Sequence, residues 1–298
     1  FMIRKNLTTN SIRTQKFVVL SLRPLRALRL DFITPQRAPR TQRAYYIKNM
    51  RVIAITGKGG TGKTAVAGML IKHLSSGNKT LLAIDADPDS NLPDVLGAKV
   101  DKTIGDMREF MLVERDKMAP DTNKERVLES KVYEVLTEMP RYDLLVMGRP
   151  EGSGCYCFAN NLLRGIMDRI LKNYDLTIID TAAGLEHLSR RIIRDVDELL
   201  VVTDGSRRGL QTAERIRDLA KSLNLNVKKM HVIANKVTPL NRARIEEYAK
   251  ELKMDLVGVV PFDETLAKFD LEGIPLAELP PDSAAFRGVG DIAKRMGL

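Results

Sequence analysis

Eight consecutive residues, Gly57-Lys58-Gly59-Gly60-Thr61-Gly62-Lys63-Thr64, constrain what this chain can fold into more than any other stretch. They follow an apolar run, Val52-Ile53-Ala54-Ile55, that reads as a buried strand. They precede Ala65 to Ser76, whose Val66, Met69, Leu70 and Leu74 fall at helical spacing. Strand, glycine loop and helix thus stand in the order required by G-x-x-x-x-G-K-[ST], in which glycines let backbone N–H groups close around phosphates at a helix N-terminus. Lys63 would then reach the outer phosphates and the Thr64 hydroxyl would bind Mg²⁺. A glycine-rich turn that matched by accident would not be expected to have both flanks correct.

From Met50 onward, apolar segments alternate with longer helical patterns. Thr80 to Ile84, Tyr142 to Met147, Leu176 to Asp180, Leu199 to Thr203, Met230 to Ala234 and Leu256 to Val260 read as further strands, and Val127 to Met139 and Asn160 to Lys172 as helices. This alternation predicts an α/β fold of three layers: a mostly parallel, twisted sheet with helices on both faces, built of right-handed βαβ units. No linker interrupts 50–298, so a single P-loop domain is expected there.

The formal charge of +10 suggests a nucleic-acid partner until it is divided along the chain. Residues 1–49 hold eleven Lys/Arg against a single acid, Asp31, and the remainder carries 37 residues of each sign. The body therefore has no bulk electrostatic reason to bind nucleic acid or anionic lipid. The basic leader 1–49 is expected to be disordered or no part of the working protein. It reads as sequence upstream of the true start, as a disordered arm, or as an organelle-type targeting peptide, whose composition it partly shares. No apolar run approaches the roughly 20 residues that span a bilayer, so a soluble protein without a membrane partner is expected.

Two strands end in acids. Asp85-Ala86-Asp87-Pro88-Asp89-Ser90-Asn91 follows the second strand, and Asp180-Thr181-Ala182-Ala183-Gly184-Leu185-Glu186 follows Leu176 to Ile179. Carboxyl ends of strands are where open α/β sheets place ligands, although Asp-Pro-Asp-Ser-Asn is also good turn chemistry by itself. Asn235-Lys236 ends another strand, where the amide can pair with an adenine edge and the lysine stem can cover the ring.

With Lys58 directly after the first glycine, the K-G-G-x-G-K-[ST] loop resembles that of the MinD/ParA/nitrogenase-iron-protein group of dimeric nucleotide hydrolases. The resemblance implies ATP hydrolysed to ADP with Mg²⁺, and a homodimer in which Lys58 reaches the partner's nucleotide. It further implies that Asp87 positions or deprotonates the attacking water, that Asp85 supports the Mg²⁺ shell and that Asp180 holds the ion through water. By the same match the Gly184 amide senses the γ-phosphate, Asn235 contacts the base, and Pro261 and Asp263 lie on the nucleotide side.

The chain has two cysteines, Cys155 and Cys157, too few for a disulfide framework. In an extended backbone positions i and i+2 face the same side, so both thiolates can meet one metal ion. They supply half of a four-donor shell, and a twofold axis would supply the other half. The stretch Met147-Gly148-Arg149-Pro150-Glu151-Gly152-Ser153-Gly154-Cys155-Tyr156-Cys157 resembles the signature of the CooC-type ATPases that assist nickel insertion into carbon monoxide dehydrogenase. That resemblance implies a cytoplasmic homodimer binding Ni²⁺ or Zn²⁺ between paired C-x-C motifs, with apo carbon monoxide dehydrogenase as client. A positioning ATPase of the MinD/ParA type is the alternative, disfavoured by the neutral body and by a poor, short amphipathic candidate in Ser283 to Leu298. The other alternative, an iron–sulfur electron donor, belongs to a family whose cysteines lie far apart.

Overall fold

The computed structural model describes residues 50–114, 123–149, 165–183, 195–223 and 225–298. The basic leader, Cys155, Cys157 and Gly184 lie outside the described residues. The described residues fall within one compact unit, Lys48–Leu298.

The elements run β1 (Arg51–Gly57), α1 (Lys63–Leu74), β2 (Leu81–Asp85), α2 (Leu92–Leu96), α3 (Ile104–Glu114), α4 (Lys124–Glu134), β3 (Thr137–Glu138) and β4 (Asp143–Val146). They continue with helix α5 over 165–171, β5 (Leu176–Asp180), β6 (Asp195–Thr203), α6 (Arg207–Ser222), β7 (Asn226–Val237), α7 (Pro239–Glu251), β8 (Leu256–Pro261), α8 (Glu264–Glu272) and α9 (Ala284–Arg295). The strands form one eight-stranded sheet in the order β3-β4-β2-β5-β1-β6-β7-β8. All neighbours are parallel except β3 and β4.

The strands read as unbroken apolar runs because helices cover both sheet faces. Within each run the residues still divide by pleat. Val52 and Ala54 of β1, Leu82 and Ile84 of β2, and Leu199 and Val201 of β6 point to one face, where they meet Ile166 and Ile170 of α5 and Leu210 and Ala213 of α6. Ile53 and Ile55, Leu81 and Ala83, and Leu200 and Val202 point to the other, against Val66, Met69 and Leu70 of α1 and Val289 and Ile292 of α9. The three-layer, mostly parallel architecture expected from the sequence is the one observed.

Two segments depart from the sequence reading. The helix expected over Val127 to Met139 ends at Glu134, and Thr137–Glu138 instead pairs antiparallel with β4. Pro140 keeps Met139 out of helical backbone, the Met139 amide closes a turn onto the Tyr142 carbonyl at 2.9 Å, and the pairing of Thr137–Glu138 with β4 takes the residues between. The C-terminal segment, weighed as a membrane-surface helix, buries Ala285, Val289, Ile292 and Ala293 in the core. Among the described residues no helix is long and apolar enough to cross a membrane.

Ile53 lies in the middle of β1 and is fully buried. Ile53→Ala is expected to lower stability by about 3 kcal/mol, read as a lower urea midpoint at unchanged slope, with nucleotide affinity unaltered because the change is remote from the loop.

Candidate functional site

β1 is flanked by β5 and β6, and it delivers Gly57 to the carboxyl edge of the sheet opposite Val202. A Cβ on Gly57 would lie 2.2 Å from the Val202 carbonyl oxygen, so no side chain is accommodated where the loop leaves the strand. Gly62, the N-cap of α1, has φ +86°, in the left-handed region, and a Cβ there would lie 2.4 Å from the Asn235 Nδ2. Backbone amides of the loop and the first turn of α1 can therefore converge without side chains between them, which is the arrangement that binds phosphate. The loop is pinned internally by the Thr61 hydroxyl, which donates to the Lys58 carbonyl at 2.8 Å. Lys58 itself is exposed, Lys63 is buried, and Thr64 is half-buried.

Asp85 and Asp180 end neighbouring strands and are register partners, with 0% and 1% of their surfaces exposed. Asp85 is satisfied by backbone: its Oδ1 accepts from the Asp87 amide at 3.0 Å and its Oδ2 from the Leu92 amide at 2.9 Å. Burial nonetheless pushes its pKa up to about 6, with the two amides opposing and nearby Asp87 and Asp94 adding. Asp180 is pushed up to about 7, first by burial and then by Asp85, while the Thr64 hydroxyl and the Lys63 ammonium draw it down. Its Oδ1 is buried with no hydrogen-bond partner. A carboxylate oxygen left without a donor beside a threonine hydroxyl and a second carboxylate suits a hard divalent cation such as Mg²⁺, which takes one or two carboxylates and otherwise water and phosphate. Among the described residues no group of three or more His, Cys, Asp or Glu could hold a metal by itself.

The Asp85–Ser90 loop shows that turn chemistry and site chemistry coexist. The Asp87 Oδ1 accepts from the Asp89 amide, and the Asp87 carbonyl accepts from Ser90, whose φ is +50°. One Asp87 oxygen thus shapes the turn at the carboxyl edge.

Asn235, 2% exposed, is more occupied than the sequence suggested. Its Nδ2 donates to the Thr61 carbonyl at 2.9 Å and its Oδ1 accepts from the Lys236 amide at 2.9 Å. An amide has one further N–H and one further lone pair, so Asn235 can brace the phosphate loop and still address a base. Lys236 is exposed with φ +58°. Pro261 and Asp263 do lie at the carboxyl end of β8, but the Asp263 carboxylate is fully engaged. Its Oδ1 accepts from the Thr265 and Leu266 amides, and its Oδ2 from the Ser283 hydroxyl and the Ala285 amide. Burial raises its pKa, but these four donors outweigh that and hold the group below the usual carboxylate range. Asp263 thus ties the starts of α8 and α9 together.

One contact had no signal in the sequence. Arg149 Nη2 donates to Asp89 Oδ1 at 2.6 Å across 60 residues of chain. It joins the Asp85–Ser90 loop to the connection that follows β4, six residues before Cys155.

The CobQ/CobB/MinD/ParA nucleotide binding domain matches residues 52–276. An ATP-binding protein of Methanocaldococcus jannaschii is 51% identical over 247 residues, covering 82% of this chain and 98% of that protein. The carbon monoxide dehydrogenase accessory protein CooC of Rhodospirillum rubrum is 34% identical over 241 residues, covering 77% of this chain and 90% of that protein. Among solved structures, a ParA family ATPase from Chlorobium tepidum superposes with a TM-score of 0.61 at 20% identity, over 84% of this chain and all of that one.

The raised acids give the ligand-free protein a pH dependence of definite sign. A native carboxyl that titrates near 7 rather than near 3.8 binds its proton more tightly folded than unfolded, so stability falls as pH rises from about 4 through 7. Asp180→Asn is expected to flatten that fall, leaving the ligand-free protein on the order of 1 kcal/mol more stable than wild type near pH 8. Urea denaturation at about pH 5 and pH 8 checks it, and an unchanged slope would mean that Asp180 stays ionised throughout.

Proposed function

This chain belongs to the CobQ/CobB/MinD/ParA family of nucleotide-binding domains, and from that premise we propose that it is a dimeric, Mg²⁺-dependent ATP hydrolase that delivers nickel to apo carbon monoxide dehydrogenase in the cytoplasm. The observation that carries the hydrolase reading is the pair of buried strand-end acids, Asp85 and Asp180, beside the phosphate loop; its extension to the metal is supported by the Arg149–Asp89 pair. It joins the acidic loop beside the nucleotide site to the chain segment that bears the C-x-C motif. The 34% identity to a carbon monoxide dehydrogenase accessory protein supports the choice of client.

In the proposed cycle, the amides of Gly59 to Thr64 cradle the phosphates and Lys63 sets its ammonium against the outer oxygens. Thr64 and Asp180, with Asp85 behind them, would hold Mg²⁺. When bound, that ion neutralises phosphate charge in the transition state. Asp87 orients the attacking water. The base lies against Asn235 and Lys236 near Pro261, and the Gly184 amide follows the γ-phosphate. Each exposed Lys58 crosses a twofold axis to the partner's nucleotide. Closure brings together two Cys155/Cys157 pairs, which complete a four-thiolate shell for Ni²⁺, or for Zn²⁺ in its place. Hydrolysis to ADP relaxes the loops and frees the ion.

Nickel titration with ATPase measured in parallel tests the proposal. Wild type is expected to bind close to one ion per dimer, and Cys155→Ala/Cys157→Ala to lose that binding while keeping basal hydrolysis within about twofold. Unchanged stoichiometry in the double variant would defeat the metal assignment. Arg149→Ala addresses the coupling: nickel affinity without nucleotide should hold, and the shift in affinity caused by ATP should shrink by up to about fivefold. An undiminished shift would show that the pair transmits nothing.

A further inference from the structure

We propose that the outer edge of β8 is a docking strip for an extended, acidic segment of a partner protein. β8 is the last strand of the sheet, and α7 and α9 stand on opposite faces beside it. Ile245 of α7 packs with Ala234 and Val237 against Leu256 and Val259, whereas Val289 and Ile292 of α9 pack with Val260 on the other side. Between the helices runs a groove of about 530 Å³, floored by β8. Gly258 and Gly288 let α9 lie close to the strand. A Cβ on Gly258 would lie 2.4 Å from Ile292 Cγ1, and one on Gly288 would lie 2.7 Å from Pro261 Cδ. An edge strand offers alternate peptide groups to whatever extended chain lies beside it.

Charge selects the occupant. Arg242 and Lys250 rise on the α7 wall, Arg287 and Arg295 on the α9 wall. The acids among them already face cations: Glu246 accepts from Arg242 at 3.1 Å, and Asp291 lies 3.8 Å from Lys294. Lys250 and Arg287 are exposed and have no ion-pair partner among the described residues. Arg295 Nη1 donates to the Val257 carbonyl at 3.1 Å, so an added strand takes that carbonyl by displacing the guanidinium, which is then released to meet an acid of the incoming segment.

Side chains of an added strand alternate between the two walls, and both walls are basic. The segment that fits therefore carries acids at neighbouring positions and so meets a cation on either side. A second copy of β8 fits poorly, because isologous pairing of two such edges brings Lys250 and Arg287 against their own counterparts. Pro261 closes one end of the strip, which limits it to a few residues and discourages open-ended sheet growth.

The full chain can be tested by fluorescence anisotropy with a fluorescein-labelled octapeptide that alternates pairs of glutamates with pairs of valines. Binding is expected, with the lysine-for-glutamate peptide about tenfold weaker or worse. Lys250→Glu/Arg287→Glu should weaken the acidic peptide roughly tenfold while leaving the circular dichroism, melting temperature and ATP hydrolysis of wild type. Amide exchange over Leu256–Pro261 should slow when the peptide is bound. Absence of binding, equal binding of both peptides, indifference to the double variant, or unprotected β8 amides would each overturn the proposal. So would light scattering that shows a wild-type dimer dissolved by Lys250→Glu/Arg287→Glu, since the edge would then serve a second copy.

Discussion

Asp85 and Asp180 bring two carboxylates side by side into the dry ends of adjacent parallel strands, and the geometry around them follows from that cost. An ionised carboxylate removed from water has to be hydrogen-bonded, matched by a cation, or protonated. Asp85 takes the first route by accepting from the Asp87 and Leu92 amides. These bonds fold the intervening chain back and fix the start of α2. The shape of the acidic loop is therefore set by the lone pairs of a buried acid. Asp180 is only partly matched by Thr64 and Lys63. Burial therefore makes it hold its proton well above the usual carboxylate range, and a cation placed beside it would displace that proton. Loop, lysine and acids depend on one another, and none has a settled electrostatic environment alone.

The sheet order makes this meeting possible. From β1 the chain moves two places to β2, fills β4 and β5 on that side, and then crosses β1 to lay down β6, β7 and β8. Loops after β1, β2 and β5 therefore gather at one carboxyl edge where the winding reverses, the place at which open α/β sheets hold ligands. Gly57 can have no side chain because β6 lies against the exit of β1, and Gly62 can have none because Asn235 at the end of β7 reaches under the loop. The glycines of the phosphate loop thus serve packing against distant strands as well as a close approach to phosphate.

What was legible in the sequence was what is contiguous in it. The phosphate loop, the strand-end acids and most of the strands are local patterns whose period or spacing declares them. Asn235 at the Thr61 carbonyl and Asp89 at Arg149 join positions 174 and 60 residues apart, and no local pattern contains them. Asp263 shows the converse. Its place after β8 was readable, but four donors at two helix starts claim its carboxylate, and tertiary packing alone decides that. The helix drawn past Glu134 erred because Thr137–Glu138 pairs with β4, although Pro140 already argued locally against helix at Met139.

Within the proposed cycle, the Arg149–Asp89 contact also bounds how nucleotide and metal would be coupled. Both side chains are about two-thirds exposed, and an exposed pair contributes at most about 1 kcal/mol. Such a pair breaks easily, which suits a link that must form and release within one turnover. It also limits the link to about a fivefold change in affinity for whatever the following segment holds. In the proposed cycle any larger dependence of metal binding on ATP would have to come from closure of a dimer, in which Lys58 would tie each nucleotide to the opposite subunit and the two cysteine pairs would meet at one axis. On this reading the ion pair sets which loop state a single subunit prefers, and the twofold interface supplies most of the free energy that separates binding from release.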